Sequence, residues 1–123
     1  MKFDFVVLGA TGEQGSIATR DLVKSGYSVL ACGRNLGRLK NLLKKSKKVM
    51  YAYVNVRDTK KTASVIKKSG AKIVLNCVEL RLNIAVMKAC IESNSHYLDL
   101  GGLQEMTIEQ YKLDNEFRKR NII

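Results

Sequence analysis

Short apolar runs alternate along this chain with stretches in which apolar residues return every three or four positions. Residues 2–8 end in the run Phe5-Val-Val-Leu8, which reads as a buried strand. A glycine-rich turn follows at 9–15. Residues 16–25 then carry Ile17, Ala18, Leu22 and Val23 at helical spacing, with Gly26 as a stop. Residues 27–32 read as a second strand. Leu36, Leu39, Leu42 and Leu43 mark one face of the next helix, with basic residues on the other. A third strand is expected over 49–56, and a helix from Asp58 or Thr59 to about 69, with Ala63, Val65 and Ile66 inward and Gly70 ending it. A fourth strand over 72–78, an apolar helix over 82–93 and a fifth strand over 96–100 repeat the pattern. The last segment reads as one amphipathic helix over 105–119, with Met106, Ile108, Tyr111 and Phe117 available to pack. Ile122 and Ile123 read as the opening of a sixth strand.

Strands that alternate with helices imply parallel βαβ units. Strands without clean polar alternation fit a sheet covered on both faces. The expected fold is therefore a doubly wound α/β domain of the Rossmann type, three layers α/β/α with strand order 3-2-1-4-5. The length of 123 residues allows one domain, and 46% hydrophobic with 27% charged residues argues against disorder. If the sixth strand is cut short after Ile123, residues 1–123 are the first part of a longer, two-domain protein.

Charge changes the picture in one region. Residues 1–91 carry 18 basic and 5 acidic side chains, within a formal net charge of +11. The densest run is Arg38, Lys40, Lys44, Lys45, Lys47 and Lys48. It lacks interleaved aromatics, so it reads as a solvated helix face, not as a nucleic-acid surface. Cys32, Cys77 and Cys90 form no CxxC pair and no Cys/His cluster, so no metal site is expected. No signal peptide opens the chain and no apolar stretch matches a membrane span, so a cytoplasmic protein away from membranes is expected.

The candidate chemistry begins at Gly9-Ala-Thr-Gly-Glu-Gln-Gly15, a GxxGxxG between the first strand and the first helix. The first glycine permits a tight turn, the next lets the backbone approach a pyrophosphate, and the last lets helix pack on strand. The helix N-terminus then meets the anion. Gly9, Thr11, Gly12, Glu13, Gln14 and Gly15 are thus cofactor-binding candidates. No Gly-Lys-Ser/Thr ends the motif, so it is not a P-loop.

The second strand ends in Gly33, Arg34 and Asn35. An acidic residue there would take a ribose 2′-hydroxyl, whereas Arg34 suits a 2′-phosphate by charge and fork geometry. NADP is therefore favoured over NAD, with Arg34 and Asn35 at that end. NAD binding beside a solvated Arg34 is the other reading. By position at the strand ends, residues 55–58 would meet the adenine and 76–79 the ribose and nicotinamide. Asn55 and Asn76 are the polar candidates, each also readable as a strand-ending turn residue, and Cys77 and Val78 lie beside Asn76.

Catalytic candidates are few. His96, the only histidine, reads as structural in preference to a general base. Cys77 has no basic partner in sequence and reads as a small buried hydrophobe. Asp99 either faces the active-site cleft or caps the turn at Gly101-Gly102. No tyrosine has a lysine four residues later, as a short-chain dehydrogenase dyad would require.

The stretches Ile73-Val-Leu-Asn-Cys-Val78, Asn83-Ile-Ala-Val-Met-Lys-Ala-Cys-Ile-Glu92 and His96-Tyr-Leu-Asp-Leu-Gly-Gly-Leu103 resemble the saccharopine dehydrogenase/reductase family, with its lysine dehydrogenase-like and carboxynorspermidine dehydrogenase-like relatives. The resemblance implies the N-terminal cofactor domain of an NAD(P)-dependent oxidoreductase acting on the C–N bond of an amino acid or secondary amine. It implies a second domain that supplies most contacts to the amino-acid substrate. It also implies Asn76 and Cys77 beside the nicotinamide and Asp99 on the substrate rim. Asn55 stands where the family more usually has an acidic residue. Residues 9–15 look equally like atypical short-chain reductases and NADP-sensing regulators, so a stand-alone redox sensor is the alternative. Apolar surface left by a missing domain leaves a homodimer open.

Overall fold

The computed structural model describes residues 2–42 and 46–123; the expected positions of Leu43, Lys44 and Lys45 lie outside them. Among the described residues five strands form one parallel sheet: β1 (Phe5–Leu8), β2 (Val29–Gly33), β3 (Val49–Tyr53), β4 (Ile73–Asn76) and β5 (His96–Asp99). Their order is β3-β2-β1-β4-β5, as the alternating pattern predicts. The helices are α1 (Glu13–Lys24), α2 (Leu36–Leu42), α3 (Thr59–Ser69), α4 (Asn83–Ser93), α5 (Gln104–Tyr111) and α6 (Asp114–Lys119). Among the described residues no helix is long and apolar enough to cross a membrane.

Successive side chains of a strand point to opposite faces, and the central strands β1 and β2 are buried on both, whereas Met50 and Tyr53 of β3 and Leu98 of β5 are exposed on the edge strands. Val6 and Leu8 of β1, Leu30 of β2 and Val74 of β4 enter the larger core with Ile66, Val86, Ala89 and Cys90. Val7, Val29, Ala31 and Val49 enter the smaller one with Leu39 of α2. Leu8, Leu39 and Ile66 are fully buried, each contributing about 1.5–3 kcal/mol. The apolar face expected of α1 is only partly used. Ile17 is 56% exposed, whereas Gly15, Ser16 and Thr19 are buried. Small residues there let the helix approach the sheet, and the Thr19 hydroxyl donates to the Gly15 carbonyl at 2.7 Å.

Four strands are shorter than the segments expected for them: β1 opens at Phe5, β3 closes at Tyr53, β4 spans Ile73–Asn76 and β5 closes at Asp99, whereas β2 is displaced to Val29–Gly33. The segment 105–119 is two helices, not one. Ile108 and Phe117 are nine residues, about two and a half turns, apart and would face opposite sides of a single helix. The chain breaks at Lys112–Leu113, where the Leu113 N–H donates to the Gln110 carbonyl at 3.0 Å and the Leu113 carbonyl opens α6. Phe117 and Ile122 are thereby buried, while Ile108 and Tyr111 stay exposed. Ile122 and Ile123 form no strand, although the Tyr97 N–H donates to the Ile123 carbonyl at 2.7 Å on the outer edge of β5. The His96 Nδ1 accepts from the Ile123 N–H at 3.0 Å.

Candidate functional site

The sheet order reverses at β1, whose neighbours are β2 on one side and β4 on the other. Loops leaving β1 and β4 therefore part in opposite directions and leave a crevice at their carboxyl ends. Gly9 lies at its floor with φ +76°, and a β-carbon on it would stand 2.8 Å from the Cys77 carbonyl carbon and oxygen. The Cys77 N–H donates to the Leu8 carbonyl at 2.9 Å, and the Ala10 N–H to that of Cys32 at 3.0 Å, so three strand ends are tied together. A β-carbon on Gly15 would fall 2.1 Å from the Gly9 oxygen, which is the close helix–strand packing expected of the third glycine. Gly12 differs. Its φ of −74° suits any residue, and it is exposed. It begins α1 without a side-chain cap, so the leading amides of the helix are left for an anion.

Two adjoining cavities occupy the crevice. One, of about 260 Å³, runs from the glycine turn across the ends of β2 and β3. Gly9, Thr11, Gly12, Arg34, Asn55, Cys77 and Val78, all candidates from the sequence, line it. The other, of about 470 Å³, is lined by Gln14, Asn76, Cys77 and Val78 from the same set, with Leu100 and Gly101. Glu13, Gly15, Asn35 and Asp99 line neither. The Asn35 side chain instead accepts from the Arg38 N–H at 2.9 Å at the start of α2. Asn55 serves the turn after β3, its Oδ1 accepting from the Arg57 N–H at 3.2 Å. Arg57 and Glu79 also line the first cavity. Both lie in segments that position at the strand ends assigns to the cleft, 55–58 and 76–79, but nothing in the local pattern says which side chain of a turn faces it.

Behind the second cavity lies a buried polar chain. Asn76 Nδ2 donates to Asn83 Oδ1 at 2.9 Å and to the Tyr97 hydroxyl at 3.2 Å. Asp99 Oδ2 accepts from the Tyr97 hydroxyl at 2.8 Å, Asn83 Nδ2 at 3.2 Å and Gln110 Nε2 at 2.7 Å. Its Oδ1 accepts from the Gly101 N–H at 2.7 Å and so caps the turn at Gly101-Gly102. Asp99 lines a separate cavity of about 380 Å³ with Tyr97, Gln110 and Phe117. Burial pushes the Tyr97 phenol well above its ordinary value, keeping it a donor. Burial likewise pushes the Cys77 thiol up to about 11. A neutral thiol at the cleft is no nucleophile near pH 7. Among the described residues no three His, Cys, Asp or Glu side chains cluster as metal ligands would.

Comparison with known proteins follows the same lines. A family model described as the saccharopine dehydrogenase NADP binding domain matches residues 5–123. The structure is similar to apo saccharopine dehydrogenase (L-Glu forming) from Saccharomyces cerevisiae, with TM-score 0.80 and 18% identity over 98% of this chain and 26% of that one. It is similar to leucoanthocyanidin reductase from Vitis vinifera, solved with NADPH, with TM-score 0.71 and 15% identity over 96% and 46%. A short-chain dehydrogenase/reductase from Veillonella parvula matches with TM-score 0.68 and 18% identity over 94% and 56%. The chain thus spans about a quarter of the yeast enzyme and about half of the other two.

Proposed function

The chain belongs to the family of saccharopine dehydrogenase NADP-binding domains, and on that premise we propose that it is the cofactor half of an oxidoreductase acting on the C–N bond of an amino acid or its secondary amine. NADP is the cofactor of this family; bound, it supplies the hydride exchanged with the imine or amine carbon. The rest of the work is holding and orienting. In this reading the amides at the start of α1, with Gly12 admitting close approach, hold the pyrophosphate, and Arg34 at the end of β2 holds the 2′-phosphate. Thr11 and Asn55 border the adenosine side. Gln14, Asn76, Cys77 and Val78 border the ribose and nicotinamide side. Asp99 acts as a positioning residue, since it bonds Asn83 and Tyr97, and both of these meet Asn76. Residues 1–123 are one cofactor domain, and contacts to the substrate come from a second domain.

The observation that carries the reading is the glycine-floored crevice between β1 and β4 with an arginine, and no carboxylate, at the end of β2. Calorimetric titration with NADP, NADPH, NAD and NADH tests it. The chain should bind the phosphorylated pair more tightly by about tenfold or more, and Arg34→Ala should erase that preference. Absence of binding by all four at millimolar concentration would refute the cofactor assignment.

A further inference from the structure

We propose that Arg57 is a second arm on the 2′-phosphate of NADP, acting with Arg34 from the neighbouring strand end. The inference rests on the reading above, in which the crevice holds NADP with Arg34 at that phosphate. The sheet order supplies the placement. β3 lies outside β2, with Gly33 in register with Tyr53. One residue on, the Val54 N–H donates to the Gly33 carbonyl at 3.1 Å. Arg34 follows Gly33 directly, and Arg57 stands three residues after Val54. Both line the same cavity, and both leave the side of it away from β4. In the reading above the amides of α1 serve an anion beside β1, so the two arginines, carried past the ends of β2 and β3, stand toward the other, adenosine end.

The backbone of Arg57 is held in place without any ligand. Asn55 Oδ1 accepts from its N–H at 3.2 Å, and the Asn55 carbonyl accepts from the Asp58 N–H at 3.0 Å. Asp58 in turn caps α3, accepting from the Lys61 N–H at 3.1 Å. Its carboxylate is paired with Lys61 at 3.7 Å, which leaves the adjacent acid committed elsewhere. Arg34 and Arg57 are exposed and have no ion-pair partner among the described residues. Among the described residues the one carboxylate lining this cavity, Glu79, comes from beyond β4 on the opposite side of β1. The cleft therefore carries two cations at one end and an anion at the other. A dianionic phosphate offers three oxygens, enough for two guanidinium forks at once, whereas a ribose hydroxyl offers one.

The test is calorimetric titration of the full chain and its Arg57→Ala, Arg57→Lys and Arg34→Ala variants. The probes are two pairs differing only in the 2′-phosphate: NADP with NAD, and adenosine 2′,5′-bisphosphate with adenosine 5′-phosphate. Arg57→Ala should weaken NADP and the bisphosphate by about tenfold or more and leave NAD and adenosine 5′-phosphate within about twofold. Arg57→Lys should recover part of the loss. An equal loss on both members of a pair would mean that Arg57 stacks on adenine, and no loss on either would mean that it stays in solvent; each overturns the proposal. If the unaltered chain binds no pyridine nucleotide, or Arg34→Ala leaves the NADP preference intact, the reading of the cleft fails first and is recognised without the Arg57 variants.

Discussion

Glycines 12 and 15 belong to one motif yet answer to different constraints. A β-carbon at Gly15 would meet the Gly9 oxygen at 2.1 Å, and that contact is backbone against backbone, with no side chain to swing aside. Gly15→Ala should therefore lower folding stability by about 3 kcal/mol or prevent folding, as urea titration followed by circular dichroism would report. At Gly12 the nearest atom is the Gly9 oxygen at 3.3 Å and φ is unstrained. Gly12→Ala should cost under about 1 kcal/mol in the same titration while weakening NADP by about tenfold in calorimetry, because its added methyl stands where the pyrophosphate must come close. The cysteines carry a second expectation. Burial pushes Cys77 up to about 11 and Cys32 and Cys90 up to about 12. At pH 8 the folded chain should resist iodoacetamide, and as pH rises Cys77, which is the half-buried one, should be alkylated first, more slowly with NADP present. Mass spectrometry of the tryptic peptides reads the order, and fast labelling of Cys32 or Cys90 in the folded chain would contradict it.

Secondary-structure elements were legible wherever a local pattern decided them. The central strands β1, β2 and β4 have apolar cores because both faces of the sheet are covered there, and Asp58 and Gly70 bound α3 as capping chemistry requires, Gly70 with φ +69°. Polar ties were not legible. α5 is held to β5 through Gln110 and Asp99 at 2.7 Å, while its apolar residues Ile108 and Tyr111 face out. An apolar stripe was the wrong signal there, and the break before α6 followed from where Phe117 had to be buried. Asp99→Ala should cost about 2–4 kcal/mol, since the Tyr97 hydroxyl and the Asn83 and Gln110 amides lose a shared charged acceptor. Chemical denaturation would show it, and a change under about 0.5 kcal/mol would mean that water replaces the carboxylate.

The molecule as a whole is two cores on one sheet, with its crevice where the strand order reverses. A ligand bound there bridges the ends of β1, β2 and β4, so its binding free energy adds to folding stability. At a hundred times its dissociation constant NADP should stabilise the chain by about 2.7 kcal/mol, raising the melting temperature on the order of 10 °C. NAD at the same concentration should raise it less, by the difference in affinity. Equal shifts in a thermal melt would count against discrimination at the 2′ position.

Taken alone, the amino-acid order determined the alternation of strands and helices, the glycine cradle, and the arginine where a carboxylate would select NAD. Each is written in neighbouring residues, through periodicity, capping and the backbone freedom of glycine. That Arg34 and Arg57 line one cavity from two strand ends, and which groups bond Asp99, was decided only by the tertiary structure. Those arrangements join separate strand ends and helices, and burial and hydrogen-bond geometry choose among side chains that the linear pattern leaves equivalent.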